Sequence, residues 1–175
     1  MMRPRLVPDE PFPPYSFVPG RFPHPVSDPA GHSFGVVVPP APPLDADRWA
    51  ENWRYLYALD LFNAGYYWEA HEAWEALWHA CGRGGRTADF LKGLIKLAAA
   101  GVKVREGRRE GVVGHARAAA NLFRRIGAPH ERYLGLPLGE LIQFADAVAD
   151  DPPSPTEVTE PVEILFPIVL WPEQG

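Results

Sequence analysis

"FLKGLIKLAAAGVKV", residues 90–104, is the stretch on which the fold turns. On a helical wheel at about 100° per residue, only Lys92, Lys96, Ala99 and Lys103 make a polar stripe. Everything else is apolar or small, so the spacing predicts a helix enclosed on most of its circumference. Gly93, Ala100 and Gly101 lie toward one side of it. Glycine inside a helix costs about 1 kcal/mol against alanine, and close approach of a neighbouring element is its natural use here.

The elements around this helix follow from proline. Of 21 prolines, 13 fall in residues 1–43 and eight follow Ala128, with none between 44 and 128. Proline removes a backbone donor and clashes with the preceding turn, so the proline-free zone marks the helical body. Within it, residues 45–63 read as a first helix, with Asp45 or Asp47 as N-cap and Trp49, Trp53, Leu56, Leu59 and Phe62 inward. Gly65 supplies a left-handed stop. A second helix runs from about Tyr66 to Cys81, the third over about 87–105, and a fourth over about 111–126. A fifth follows Pro137 to about residue 149. The tail "VEILFPIVLWP" is apolar and extended, and is expected to pack across the bundle. The prediction is an all-α fold: a compact bundle of about five helices over 44–150. Proline-rich, non-helical arms, 1–43 and 151–175, pack on it. Tyr15, Phe17, Phe22 and Phe34 give the first arm too much aromatic surface for a solvated linker.

A chain of 175 residues with a net charge of −5 and no basic stripe does not suggest a nucleic-acid partner. No apolar run approaches the roughly 20 residues of a membrane span. The segment MMRPRLVPDEPFPP lacks a signal-peptide core, and a single cysteine, Cys81, fits a reducing compartment. The expectation is a cytoplasmic protein whose partner is a small molecule or another protein. A homo-oligomer is compatible with these features.

The polar residues that attract attention begin with "WEAHEAWEALW", residues 68–78. A zincin helix needs His-Glu-x-x-His, and here the fifth position is Glu75, so that motif fails. With Glu69 set to zero, Trp74, Leu77, Trp78 and Cys81 centre near about 130°. His71 then lies near 200° and Glu75 near 240°, at the margin of the apolar face. Glu72 points about 100° away from His71, and Glu69 is expected to face outward. Asp60 in the first helix and His115 in the fourth lie on inward faces. Asp60, Asn63, His71, Glu75 and His115 are therefore candidates for one internal polar cluster, because a buried polar group needs partners. In the arm, His24, Asp28 and His32 recur four apart, but Pro23, Pro25 and Pro29 forbid a helix. They share a site only if the arm folds over the bundle; turn and cap hydrogen bonding is the plainer reading of His24 and His32.

"LFNAGYYWEAHEAWEALW" and the later "FLKGLIKLAAAGVKVREGRREGVVGHARAAANLF" together resemble the domain of unknown function 309 family. The matching positions are Phe62, Asn63, Gly65, Glu69, Ala70, His71, Glu72, Glu75 and Trp78, then Leu91, Gly93, Leu94, Ile95, Leu97, Ala98 and Ala99. The resemblance covers about residues 51–126, and Lys96 stands where the family carries Gln. It implies a compact all-α fold and no particular activity.

Two functions fit these residues. The first is a non-catalytic binding or scaffold domain with a structural His/Glu cluster. The second is a metal-assisted hydrolase of small molecules. In it His71 acts as ligand or base with Glu72 and Glu75, and His24 and His32 arrive from the arm as further ligands. Imidazole and carboxylate donors suit a divalent transition metal such as zinc. No nucleophile motif, phosphate loop or complete metal spacing appears in the sequence.

Overall fold

A computed structural model describes residues 4–155 and 157–174. Among the described residues, six helices and one hairpin of two-residue strands make up the regular structure. A short 3-10 helix, Ala46–Glu51, precedes α1 (Trp53–Asn63), α2 (Tyr67–Ala80), α3 (Arg86–Arg105) and α4 (Arg109–Ile126). β1 (Arg132–Tyr133) and β2 (Leu136–Pro137) pair antiparallel before α5 (Leu138–Asp150). The fold is all-α, as the proline distribution predicts, and no described residue between 48 and 126 is in a strand.

α3 is central, packing against both α2 and α4, while α5 packs on α4. Along 90–104 the residues that keep appreciable exposure are Lys92, Lys96, Ala99 and Lys103, the four of the predicted stripe. Its glycines admit two different neighbours. A Cβ at Gly93 would stand 2.5 Å from the Phe123 ring of α4, and one at Gly101 would stand 2.5 Å from the Tyr67 ring of α2. Those close approaches explain why glycine is tolerated in a buried helix despite its propensity cost.

The first helix departs from the reading. Residues 45–63 are two helices, because the Asn52 side chain accepts from Tyr55 N and caps a new α1 while its own N–H bonds Trp49 O. The break resets the helical phase, since a 3-10 turn advances by about three residues rather than 3.6. Leu59 and Phe62 are buried, but Trp53 is 50% exposed. Asp45 is the N-cap of the 3-10 helix, accepting from Asp47 N. α1 ends in a Schellman motif: Tyr66 N–H bonds Leu61 O, Gly65 N–H bonds Phe62 O, and Gly65 has φ of 91°. α2 and α3 end in the same way at Gly82 and Gly107.

Both proline-rich segments touch the bundle. Phe17 and Val18 are buried from the first, and Phe166 and Leu170 from the last. Phe34 and Trp171, expected to dock, are 51% and 38% exposed. In the tail, Phe166 and Leu170 turn inward while Ile164 and Val169 are exposed, so burial does not keep a strict period of two. Among the described residues no helix is long and apolar enough to cross a membrane.

Candidate functional site

The internal polar cluster predicted from Asp60, Asn63, His71, Glu75 and His115 is not one cluster. The polar side chains of α1 and the start of α2 each hold a different piece of the flanking segments. Asp60 is buried and receives Leu6 N–H and Val7 N–H, both at 2.8 Å, with Arg5 Nε 3.7 Å away. Two successive backbone N–H groups converge on one carboxylate and offset the desolvation of its charge. Asn63 does the same for the tail. Its Nδ2 donates to Leu170 O at 3.0 Å and its Oδ1 accepts Leu170 N–H at 2.7 Å. Tyr67 Oη, one helix on, accepts from Leu165 N and Phe166 N.

Glu69 overturns the wheel. It is buried rather than outward, because the N-terminal segment passes over it. Its Oε2 accepts the Ser16 hydroxyl at 2.8 Å, and its Oε1 accepts Phe17 N–H at 2.9 Å and lies 3.1 Å from His32 Nε2. His32 is thus an arm histidine brought to α2, but to Glu69 and not to His71. Its Nδ1 is 2.8 Å from Ser33 Oγ, and its ring stands edge-on to Tyr15 at 4.7 Å. His24 is exposed. Its Nδ1 accepts from Val26 N and Ser27 N, each at 3.3 Å, as a turn cap, and its ring meets Trp68 edge-on. Asp28 closes the next turn by accepting Ala30 N–H.

Arg105 joins this region without any sequence signal having been drawn from it. Only 4% exposed at the end of α3, it donates to Ser16 O at 3.3 Å and to Glu160 O at 2.7 Å, tying the two flanking segments together. Burial pulls its pKa down, against the opposing pull of Glu163 and Glu69. The available signal was position: Arg105 lies about 200° round from Lys103, on the side of α3 that the polar stripe leaves apolar.

His71 lies on the opposite flank of α2, half-buried and open to solvent. Its Nδ1 is 3.2 Å from Glu72 Oε1 and 3.8 Å from Glu75 Oε2. One ligand atom from each of the three residues lies within 4.8 Å of the others. Neighbouring positions on a helix diverge at Cβ, yet the Glu72 side chain reaches back to the imidazole. Glu75 also stands 4.0 Å from His79 Nε2. His115 of α4 is partly buried, and its pKa is lowered, chiefly by burial and then by Lys96, Lys103 and His71.

The family model described as Domain of unknown function (DUF309) matches residues 55–114, the family to which the two motifs point. The matched segment contains Asp60, Asn63, Glu69, His71, Glu72, Glu75 and Arg105 and leaves His24, His32 and His115 outside. No curated protein matches the chain.

Proposed function

We propose that this chain, matched over residues 55–114 by the DUF309 model, is a binding domain. Its helical body is a scaffold, and its ligand is a divalent transition-metal ion held by His71, Glu72 and Glu75. The observation that carries the reading is the convergence of one imidazole nitrogen and two carboxylates within 4.8 Å on an open face. In a tetrahedral zinc site, ligand–metal distances of about 2.0–2.2 Å put donor atoms about 3.3–3.6 Å apart. The His71–Glu72 and His71–Glu75 separations of 3.2 and 3.8 Å need little rotamer change to meet that. By contrast Asp60, Asn63 and Glu69 are already satisfied by backbone and arm donors, which supports a scaffold role for them.

A metal-assisted hydrolase drawing ligands from the arm has less support. His24 caps a turn and His32 bonds Glu69, so neither completes a shell at His71. The test is calorimetric titration of the full chain with Zn²⁺ and Mn²⁺. The expected result is one ion per chain in the wild type and none in His71→Ala or in a Glu72→Gln/Glu75→Gln double variant. Equal binding by His71→Ala would defeat the proposal.

A further inference from the structure

We propose that Ser33 is a nucleophilic serine, activated by His32 and oriented through Glu69, which accepts an acyl group from a small activated carboxylic ester. None of these residues belongs to the His71 face, so the inference stands apart from the metal reading.

The chain of contacts starts at Glu69. Its two oxygens accept Ser16 Oγ–H and Phe17 N–H, which fixes the carboxylate in place as an acceptor. Its Oε1 is 3.1 Å from His32 Nε2, so in the neutral ring Nε2 carries the hydrogen and donates. Nδ1 is then the bare nitrogen, and Ser33 Oγ, 2.8 Å away, must donate to it. The order is carboxylate, imidazole, hydroxyl: a base held in one tautomer by a buried acid, with a nucleophile hydrogen-bonded to its free nitrogen. The ring nitrogens are used in the opposite sense from the familiar serine-protease triad, but the roles are the same. The ring cannot readily turn away, because the side chain is only 5% exposed and packs edge-on against Tyr15.

A network that served only to dock the arm would end at His32. Here the chain of hydrogen bonds continues to the half-buried Ser33 hydroxyl. A Cβ placed at Gly35 would meet no atom within 4 Å. Phe34 and Val36, on either side of Gly35, are 51% and 61% exposed and offer an apolar surface for an acyl chain.

In the reaction, Ser33 Oγ bonds to the ester carbonyl carbon, and the bond from that carbon to the leaving oxygen breaks. The hydroxyl proton passes to His32 Nδ1 and then to the leaving alkoxide or phenolate. The products are an acylated Ser33 and a free alcohol. Water, deprotonated by the same Nδ1, then releases the carboxylic acid and restores the serine. No redox partner is required.

The test uses the full chain in the presence of a metal chelator, so its outcome is independent of the His71 site. The protein is treated with p-nitrophenyl acetate and, separately, with a fluorophosphonate probe, and the modified residues are mapped by peptide mass spectrometry. Ser154 is exposed and serves as an internal control that needs no variant. The expected result is modification at Ser33, about 10²-fold or more faster than at Ser154, the scale of a positioned general base. It should fall to the control rate in His32→Gln and vanish in Ser33→Ala. An unmodified Ser33, or one modified no faster than Ser154, would overturn the inference. So would a rate undiminished by His32→Gln in a protein that keeps its wild-type circular dichroism.

Discussion

Replacing Glu69 with alanine should damage this protein more than any change on the exposed flank of α2. The carboxylate is 7% exposed and accepts from Ser16 Oγ and Phe17 N while bonding His32 Nε2. A hydrogen bond to a charged group contributes about 1.5–3 kcal/mol, so simple addition over three bonds would give about 4–9 kcal/mol. That sum overshoots, because deletion also relieves the desolvation of the carboxylate. Removing one member of a buried charged network typically costs about 3–5 kcal/mol, and we adopt that range. For a domain of this size each kcal/mol shifts the melting temperature by about 2–4 °C, which predicts a fall of about 10 °C.

Differential scanning calorimetry reads the global loss, and limited proteolysis locates it, with new cleavage expected over residues 15–34. Glu72→Ala is the comparison: its side chain is 47% exposed, and a surface change of that kind stays within about 0.5 kcal/mol. A Glu69→Ala protein that melts within a degree of wild type and resists protease equally would show that these three bonds do not hold the arm in place.

Two further outcomes follow from packing and charge. Gly101→Ala should destabilise by up to about 2 kcal/mol. The new Cβ would meet the buried Tyr67 ring at 2.5 Å, and overpacking of about 1–3 kcal/mol outweighs the roughly 1 kcal/mol gained in helix propensity. Gly114→Ala, with nothing within 4 Å, should instead stabilise by up to about 1 kcal/mol; denaturant midpoints of the pair check the opposite signs. His115 has a lowered pKa in the fold, so between its ordinary value of about 6.5 and the lower folded value the unfolded chain binds more protons. Its contribution is therefore present above about pH 6.5 and is lost as pH falls below it. The stability difference between about pH 7.5 and 5.5 should be smaller in His115→Gln than in wild type.

The helical body was legible because its signals are local. A four-residue polar stripe on α3 specified which positions keep exposure, and the proline-free zone set the limits of the bundle. Left-handed glycines closed the helices where the sequence puts them. The split at Asn52 was missed because a 3-10 turn and an α turn share much of their apolar spacing over a few residues. The hairpin before α5 depends on two positive-φ residues, Leu134 and Gly135, of which only the glycine is a sequence signal.

The polar residues were misread for a different reason, and it bears on what they do. A helical wheel assigns inside and outside relative to one apolar face, and on α2 that puts Glu69 about 130° from the centre. What covers Glu69 is a segment some 50 residues earlier in the chain, which has no periodicity to announce its path. His71, on the other flank, keeps a side-chain exposure of 27%. The same α2 helix therefore carries two polar assemblies with opposite fates. One, at Glu69, is closed by the arm and leads through His32 to Ser33. The other, at His71, is left open with two carboxylates around one imidazole. Asp60, Asn63 and Arg105 have the first kind of environment: each is buried, and each is bonded to backbone from a flanking segment. Buried polar side chains in this bundle thus mark where the arms are anchored. The proposed metal site at His71 and the proposed nucleophile at Ser33 both lie beyond those anchors.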